Sequence, residues 1–446
     1  MRAALSNPLT LVLGCICIQW VSLGSMGPFS LKVPYLIFSF GILYAASSAA
    51  RLNACIAFVR QNALWVAPFA LYLLLLSSVL FGTEGQNMPL RQIFYLLCSI
   101  AIAGCLAVAR DLPSIVRMGS ALTLLLFVVI VEVLARTIGL SWIDAIVEFI
   151  GNGDRRFAVY TFFHGVFNAL DPNADALVGT SQKNGVAAGV LVAALLFRSA
   201  STRASRDVVG MMVLGGALLI LFLLNTRSVL IVAGLSILFV TIVSALRQPA
   251  QLPTLVLKVL AALAIITLAF GYTDVESATA GEMGDRFAFE DQSTAERVGQ
   301  YEAAFDKIKE YPLTGSGYFE LGGVPIHNLF LSAWVNAGLA AFVLVVIFYL
   351  AVLSRWVSIL RTFIAYPERW VVPIAFEWVA ALPMLPLFRV WLAGDGGHPF
   401  LGEWIGLAAF LGIVLANDLR WRNVVARRRA PVAPSPTGTI TVESIA

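Results

Sequence analysis

Runs of about twenty mainly apolar residues recur along this chain, and that is the length a helix needs to cross roughly 30 Å of hydrocarbon. Twelve are counted, centred in residues 9–24, 33–50, 62–81, 90–109, 115–136, 182–198, 208–224, 228–246, 252–272, 327–354, 370–390 and 400–418. The sixth is diluted by Gly185 and Gly189. A soluble domain carries about 45–50% apolar and about 25% charged residues. Here 59% of 446 residues are hydrophobic and 13% charged, which excludes a soluble globular enzyme. The expected fold class is an all-α polytopic membrane protein with about twelve transmembrane helices. Arg2 ahead of the first run imitates a secretory signal, but no clean cleavage site follows, and the run is read as an uncleaved helix.

The formal net charge of +4 is too nearly balanced to point to nucleic acid. The placement of the charges is more informative, because short cytoplasmic loops carry an excess of Lys and Arg. With the amino terminus inside, the cytoplasmic set holds 17 of the 30 basic residues, among them Arg51, Arg60, Arg110, Arg247, Arg355 and Arg427 to Arg429. The acids on that side are Asp111, Asp207, Glu368, Asp418 and Glu443. Both termini are therefore expected in the cytoplasm. Two connections, 137–181 and 273–326, are long enough to fold over the outer, periplasmic face, and connections of that length are usually functional or disordered. Residues 1–429 read as one polytopic domain and the Pro-containing 430–446 as a disordered cytoplasmic tail. Cys15, Cys17, Cys55, Cys98 and Cys105 lie in or beside predicted spans, without a disulfide framework or zinc spacing.

Residues 273–338 carry the most chemistry. Ser293-Thr294-Ala295-Glu296 has capping-box spacing, so a helix is expected to start there. Val298, Tyr301, Phe305 and Ile308 then form an apolar stripe, with Glu302, Asp306 and Lys309 off it, and Tyr311-Pro312 ends the helix. The following Gly315-Ser316-Gly317 turn lacks the strand and spacing of a dinucleotide fingerprint. Its glycines suit a tight turn or a close approach to a ligand. His327-Asn328 stands at the mouth of the tenth run, where a helix dipole disfavours imidazolium and leaves a neutral ring able to accept a proton.

Arg227 begins the eighth run, and Arg297 is expected in the first turn of the amphipathic helix. Cations at helix amino termini oppose the dipole. An anionic ligand would resolve both conflicts, since guanidinium groups bind phosphate bidentately. Snorkelling to the interface is the alternative for Arg227, and an ion pair with Glu296 or Asp291 the alternative for Arg297.

Arg227 in its short turn, Arg297 in ERVGQYEAAFDKIKEYPLTGSGYF, and HNLFLSAWVNAGLAAF at the next span resemble the O-antigen ligase and polymerase superfamily over roughly residues 180–342. TSQKNGVAAGVLVAAL is similar to that family's polar entry into the sixth span. Three positions depart from the family pattern: Thr226-Arg227-Ser228 stands for the common Ser-Arg-Gly, Tyr301 for Trp, and Asn336 for the Glu that many members place before the Gly.

The resemblance implies a GT-C-like fold in a bacterial inner membrane, with the active site facing the periplasm. It implies transfer of a glycan from an undecaprenyl-pyrophosphate carrier to an acceptor hydroxyl on another glycan or on lipid A-core. Membrane lipids and polysaccharide chain-length and export proteins are the further implied partners. Polymerisation of O-antigen or exopolysaccharide repeat units is the favoured reaction and ligation the alternative. His327 is the expected base, and Arg227 and Arg297 stabilise the diphosphate. Lys183, Asn184, Tyr301, Gly315, Gly317 and Asn328 are the expected substrate contacts. No metal or other cofactor is expected; the acids Glu282, Asp285, Glu290 and Asp291 read as a solvated loop, with a divalent-ion site as the alternative. Arg155, Arg156 and His164 read as surface residues, and His398 has no charged neighbour in sequence except Asp395. Glu132, Lys258 and Glu377 fall in or near predicted spans, where ionisable groups are often functional, and they support a transporter or flippase as the rival class.

Overall fold

The computed structural model describes residues 7–18, 21–26, 29–81, 87–153, 161–163, 165–166, 176–200, 208–224, 226–251, 253, 256, 260, 292–317, 320–321, 324–326, 328–392 and 398–429. Helices dominate it. In chain order they are α1 (Pro8–Gly14), α2 (Val33–Ala46), α3 (Ala49–Gln61), α4 (Ala63–Val79), α5 (Asn87–Ala107), α6 (Leu112–Thr137), α7 (Trp142–Gly151), α8 (Ala176–Ser199), α9 (Val208–Leu223) and α10 (Arg227–Arg247). They continue with α11 (Gln292–Glu310), α12 (Leu329–Ala365), α13 (Phe376–Ala380), α14 (Met384–Leu392) and α15 (Leu401–Arg429). Two small antiparallel hairpins, Ser22–Met26 with Phe29–Lys32 and Glu320–Leu321 with Val324–Pro325, interrupt them.

Among the described residues, five helices are long and apolar enough to cross a bilayer: α5, α6, α10, α12 and α15. The pair α2 and α3, bent by 103°, is a sixth if it is counted as one span. α4 and α9 are shorter apolar helices. Two of the twelve expected runs are not single helices. The first begins as a seven-residue helix that gives way at Cys15 to a 3-10 turn, Ile16–Ile18. Seven residues rise only about 10 Å. The eleventh is irregular over 370–375 and then divides into α13 and α14 across a turn at Ala381–Pro383, where the proline lacks the N–H a continuous helix would use. The ninth run lies almost wholly outside the described residues.

The core sits where α4, α12, α5 and α15 meet. Phe69 packs on Phe348 at 4.5 Å between ring centroids and on Trp404 at 5.1 Å, with Trp65 beside them. Small residues let the backbones approach, as in other membrane bundles. A Cβ at Gly412 of α15 would lie 2.8 Å from the backbone of Ala103 in α5. The outward faces stay apolar, as lipid requires: Leu125, Val128, Val129 and Val133 on α6 are all exposed.

Candidate functional site

α12 starts immediately after His327. Asn328 caps it, its Oδ1 accepting from the N–H groups of Phe330 at 3.0 Å and Leu331 at 3.1 Å. That satisfies two of the four orphan donors of a helix start. Asn328, read from sequence as a substrate contact, is thus engaged as a cap. His327 itself lies outside the described residues. Two turns later the helix breaks. Ala337 has φ −133 and ψ 17, and Gly338 has φ 74 and ψ −168, a region open essentially to glycine alone.

A break exposes carbonyls that a continuous helix would satisfy, and the Gly-rich turn supplies their donors. The N–H of Ser316 donates to Val335 O at 2.7 Å, its Oγ donates to the same oxygen at 3.0 Å, and the N–H of Gly317 donates to Asn336 O at 3.2 Å. The indole of Trp334 donates to Pro312 O at 2.9 Å. Gly315 (φ 74) crosses so close that a Cβ there would lie 2.6 Å from the amide nitrogens of Ala337 and Gly338. A Cβ on Gly338 would overlap the carbonyl of Leu313. The N–H of Gly315 donates to Tyr311 O. All three amides of the turn are therefore taken by protein acceptors, and Gly315 and Gly317 serve this clip rather than presenting N–H groups to a ligand.

The Arg297-bearing helix α11 is joined to the same assembly. Ala304 and Ile308 pack with Ile326 and Val335 in a small separate core, edged by Leu331 and Trp334. Residues flanking His327 on both sides are thus tied to α11. The stripe expected through Phe305 is rotated: Phe305 is 51% exposed, while Ala304 and Ile308 are buried and Tyr301 half-buried. α11 begins at Gln292, so Arg297 falls in its second turn rather than its first, which weakens the conflict with the dipole. Arg227 is the first residue of α10, preceded by Thr226, whose side chain makes no cap bond. The Thr226 hydroxyl is buried, with no hydrogen-bond partner among the described residues. The side chains of Arg227 and Arg297 lie outside the described residues. Lys183 is buried and Asn184 half-buried, both inside α8. That helix starts six residues earlier than the sequence suggests.

One polar centre escaped the sequence reading. Arg389 of α14 and Glu403 of α15 form an ion pair in which both side chains are 1% exposed. Glu403 also accepts from the Phe400 N–H at 2.6 Å, and the Arg389 guanidinium lies over the Phe400 ring at 4.4 Å. Beside it, fully buried His398 shares a 2.6 Å hydrogen bond with Tyr72, the two rings stacked at 11°. Gln92 donates to Pro399 O and accepts from the Trp404 indole. The available clue was Arg389 as the one basic residue within the last two predicted spans, with Glu403 among the acids there. Two of the three flagged in-span ionisable residues also have partners. Glu132 pairs with Arg136 and accepts from the Trp142 N–H, while Glu377 pairs with Arg247 at 3.0 Å. Lys258, Arg155, Arg156, His164, Glu282, Asp285, Glu290, Asp291 and Asp395 lie outside the described residues.

A bundle of long apolar helices, one of them broken at Gly338 and clipped by a Gly-rich turn, defines the class as a helical membrane protein. Comparison with known families sharpens that class. Residues 210–346 match the O-antigen ligase family, a stretch that runs from α9 into α12 and contains Arg227, Arg297, the clip and His327. Over that stretch the chain is similar to the O-antigen ligase family. No curated protein matches the chain.

Proposed function

We propose that this protein transfers a glycan from an undecaprenyl-pyrophosphate carrier to a sugar hydroxyl at the periplasmic face of the bacterial inner membrane. The acceptor in this reading is a second carrier-linked repeat unit, which makes the reaction a polymerisation of O-antigen or exopolysaccharide. The observation that carries the proposal is the physical union of the matched segment's parts: α11, which bears Arg297, and the residues flanking His327 share one small core. α10, which starts at Arg227, also touches α12, through Phe239 and Trp356 at 5.3 Å, a contact about three turns along from Arg227.

The chemistry follows from the residue types. The acceptor oxygen attacks the anomeric carbon from the face opposite the diphosphate, and the carbon–oxygen bond to the diphosphate breaks with inversion. The hydroxyl proton passes to neutral His327. The diphosphate leaves on its lipid with its developing charge held by the Arg227 and Arg297 guanidinium groups. A lipid diphosphate is a good leaving group, so stabilising charge and removing one proton are the main tasks, and no metal is assigned a step. The transporter alternative rested on Glu132, Lys258 and Glu377, and two of these have the ion-pair partners described above.

Purified protein in detergent, given the carrier-linked repeat alone, should form longer carrier-linked chains. Formation of product only when lipid A-core is supplied would favour the ligase reading, and no product with either acceptor would overturn the enzyme assignment. His327→Ala should lower turnover by about 10²–10⁴-fold, the usual value of a positioned general base, with thermal unfolding unchanged. Arg227→Lys should lower turnover by about 10²–10³-fold, the scale set by loss of one oriented donor to developing charge, because a point charge does not reproduce the planar fork.

A further inference from the structure

The connection between the fifth and sixth predicted spans contains α7, whose ten residues divide into three sides. Trp142, Ala145 and Phe149 face the protein. Ala145 is buried, the Trp142 ring meets Phe162 at 4.9 Å and Phe163 at 5.5 Å, and Phe149 meets Phe222 of α9 at 6.2 Å. Asp144 and Glu148 occupy a second side. The third carries Ile143, Ile146, Val147 and Ile150, spaced i, i+3, i+4, i+7 and exposed by 68, 49, 54 and 67%. A helix standing in water would not present four large aliphatic side chains in one stripe, and a core helix would not leave them uncovered.

The depth of α7 is fixed by a charge. Glu132 lies five residues before the end of α6, about 8 Å down the helix axis. Its Oε2 accepts from the N–H of Trp142 at 2.8 Å, and its Oε1 pairs with Arg136 at 2.7 Å. The Trp142 indole reaches further, donating to Val128 O at 3.0 Å. The start of α7 is thereby held below the tip of α6. α6 itself carries exposed apolar side chains, Leu125, Val128, Val129 and Val133, over the same turns that hold α7.

We propose that α7 is an in-plane helix seated in the lipid leaflet at that end of the bundle. Its aliphatic side is in the acyl region, its acidic side faces water, and its aromatic side is fastened to α6 and α9. Phospholipid acyl chains are the occupant of the stripe, and Glu132 is the depth-setting tether. This stands independently of the reaction. Amphipathic helices drawn to anionic headgroups carry Lys or Arg on the polar side, whereas α7 has Asp144 and Glu148 and no basic residue. Apolar burial rather than anionic lipid holds it, so the seating requires no charged headgroup.

All five native cysteines are buried, so single cysteines at positions 143, 144, 146, 147, 148 and 150 can carry nitroxide labels with the native ones in place. In full-length protein reconstituted into phosphatidylcholine nanodiscs, labels at 143, 146, 147 and 150 should collide with oxygen several-fold more than with a water-soluble nickel chelate. Labels at 144 and 148 should show the reverse. In Glu132→Ala the alternation should flatten, and an unchanged alternation would remove the tether from the proposal. Free access of nickel to the stripe would overturn the seating, as would labels closed to both reagents with the dipolar broadening of a second copy.

Discussion

Two assemblies, one next to His327 and one centred on buried His398, are built in opposite ways. The clip around residues 312–338 is held by main-chain groups: amides of Ser316 and Gly317 close onto carbonyls of Val335 and Asn336, and glycines permit the approach. The assembly around His398 is held by side chains from four elements, with Tyr72 and Gln92 reaching residues more than 300 positions away in sequence. A main-chain clip demands Gly, Pro and a capping Asn at fixed offsets, so it leaves a motif. A side-chain network demands only that complementary groups meet in space. The first fixes the geometry of a short segment at the start of α12, and the second fixes how whole helices register in the apolar core.

That contrast predicts different consequences for damage. The largest stability loss should come from Glu403→Ala, which strands the Arg389 guanidinium in the core at a cost of about 3–5 kcal/mol, read by thermal unfolding in detergent. The double variant Arg389→Met with Glu403→Leu should recover most of that stability and keep transfer activity. Recovered folding without recovered transfer would break the comparison, because the pair would then act in the reaction. Gly338→Ala should cost about 1–3 kcal/mol from backbone strain, with further loss from overlap with Leu313. Its transfer rate should fall by more than its folded fraction. The smallest effect should be that of Asn328→Ala, about 0.5–2 kcal/mol from the lost cap. Here too transfer should suffer beyond stability, since the cap holds the backbone next to His327. Equal losses of rate and folded protein in both clip variants would reduce the clip to scaffolding.

Much of the bundle was legible because hydropathy is local. α4, α5, α6, α9 and α10 fall within a few residues of the predicted runs, since an uninterrupted apolar run in lipid has only helix as a solution for its backbone, while α15 starts where expected but continues to Arg429. The same counting failed at the first and eleventh runs, because a window sums apolarity and is blind to the break after Gly14 and around Pro383. Position did not settle the matter either, as Pro68 sits inside α4 without ending it. In the site, the turn glycines and the helix start after His327 were readable, but not that the glycines exist to meet a break ten residues beyond Asn328. The facing of α11 was missed because Ala304 contributes little to a hydrophobic stripe yet fits closely against Ile326 and Val335. Arg389 and Glu403 were overlooked for the converse reason: each looks anomalous alone, and only their pairing in space makes them structural.

The discontinuity at Ala337 and Gly338 has a mechanical consequence. Because the long stretch after it and the two turns before it are separate bodies, adjustment to bilayer thickness can be absorbed as tilt of the stretch that follows Gly338. The short leading piece, moored to α11 through Val335, need not follow. The region bordering His327 is in this way insulated from the elastic state of the lipid, a form of suspension that a single unbroken rod through the membrane would not provide.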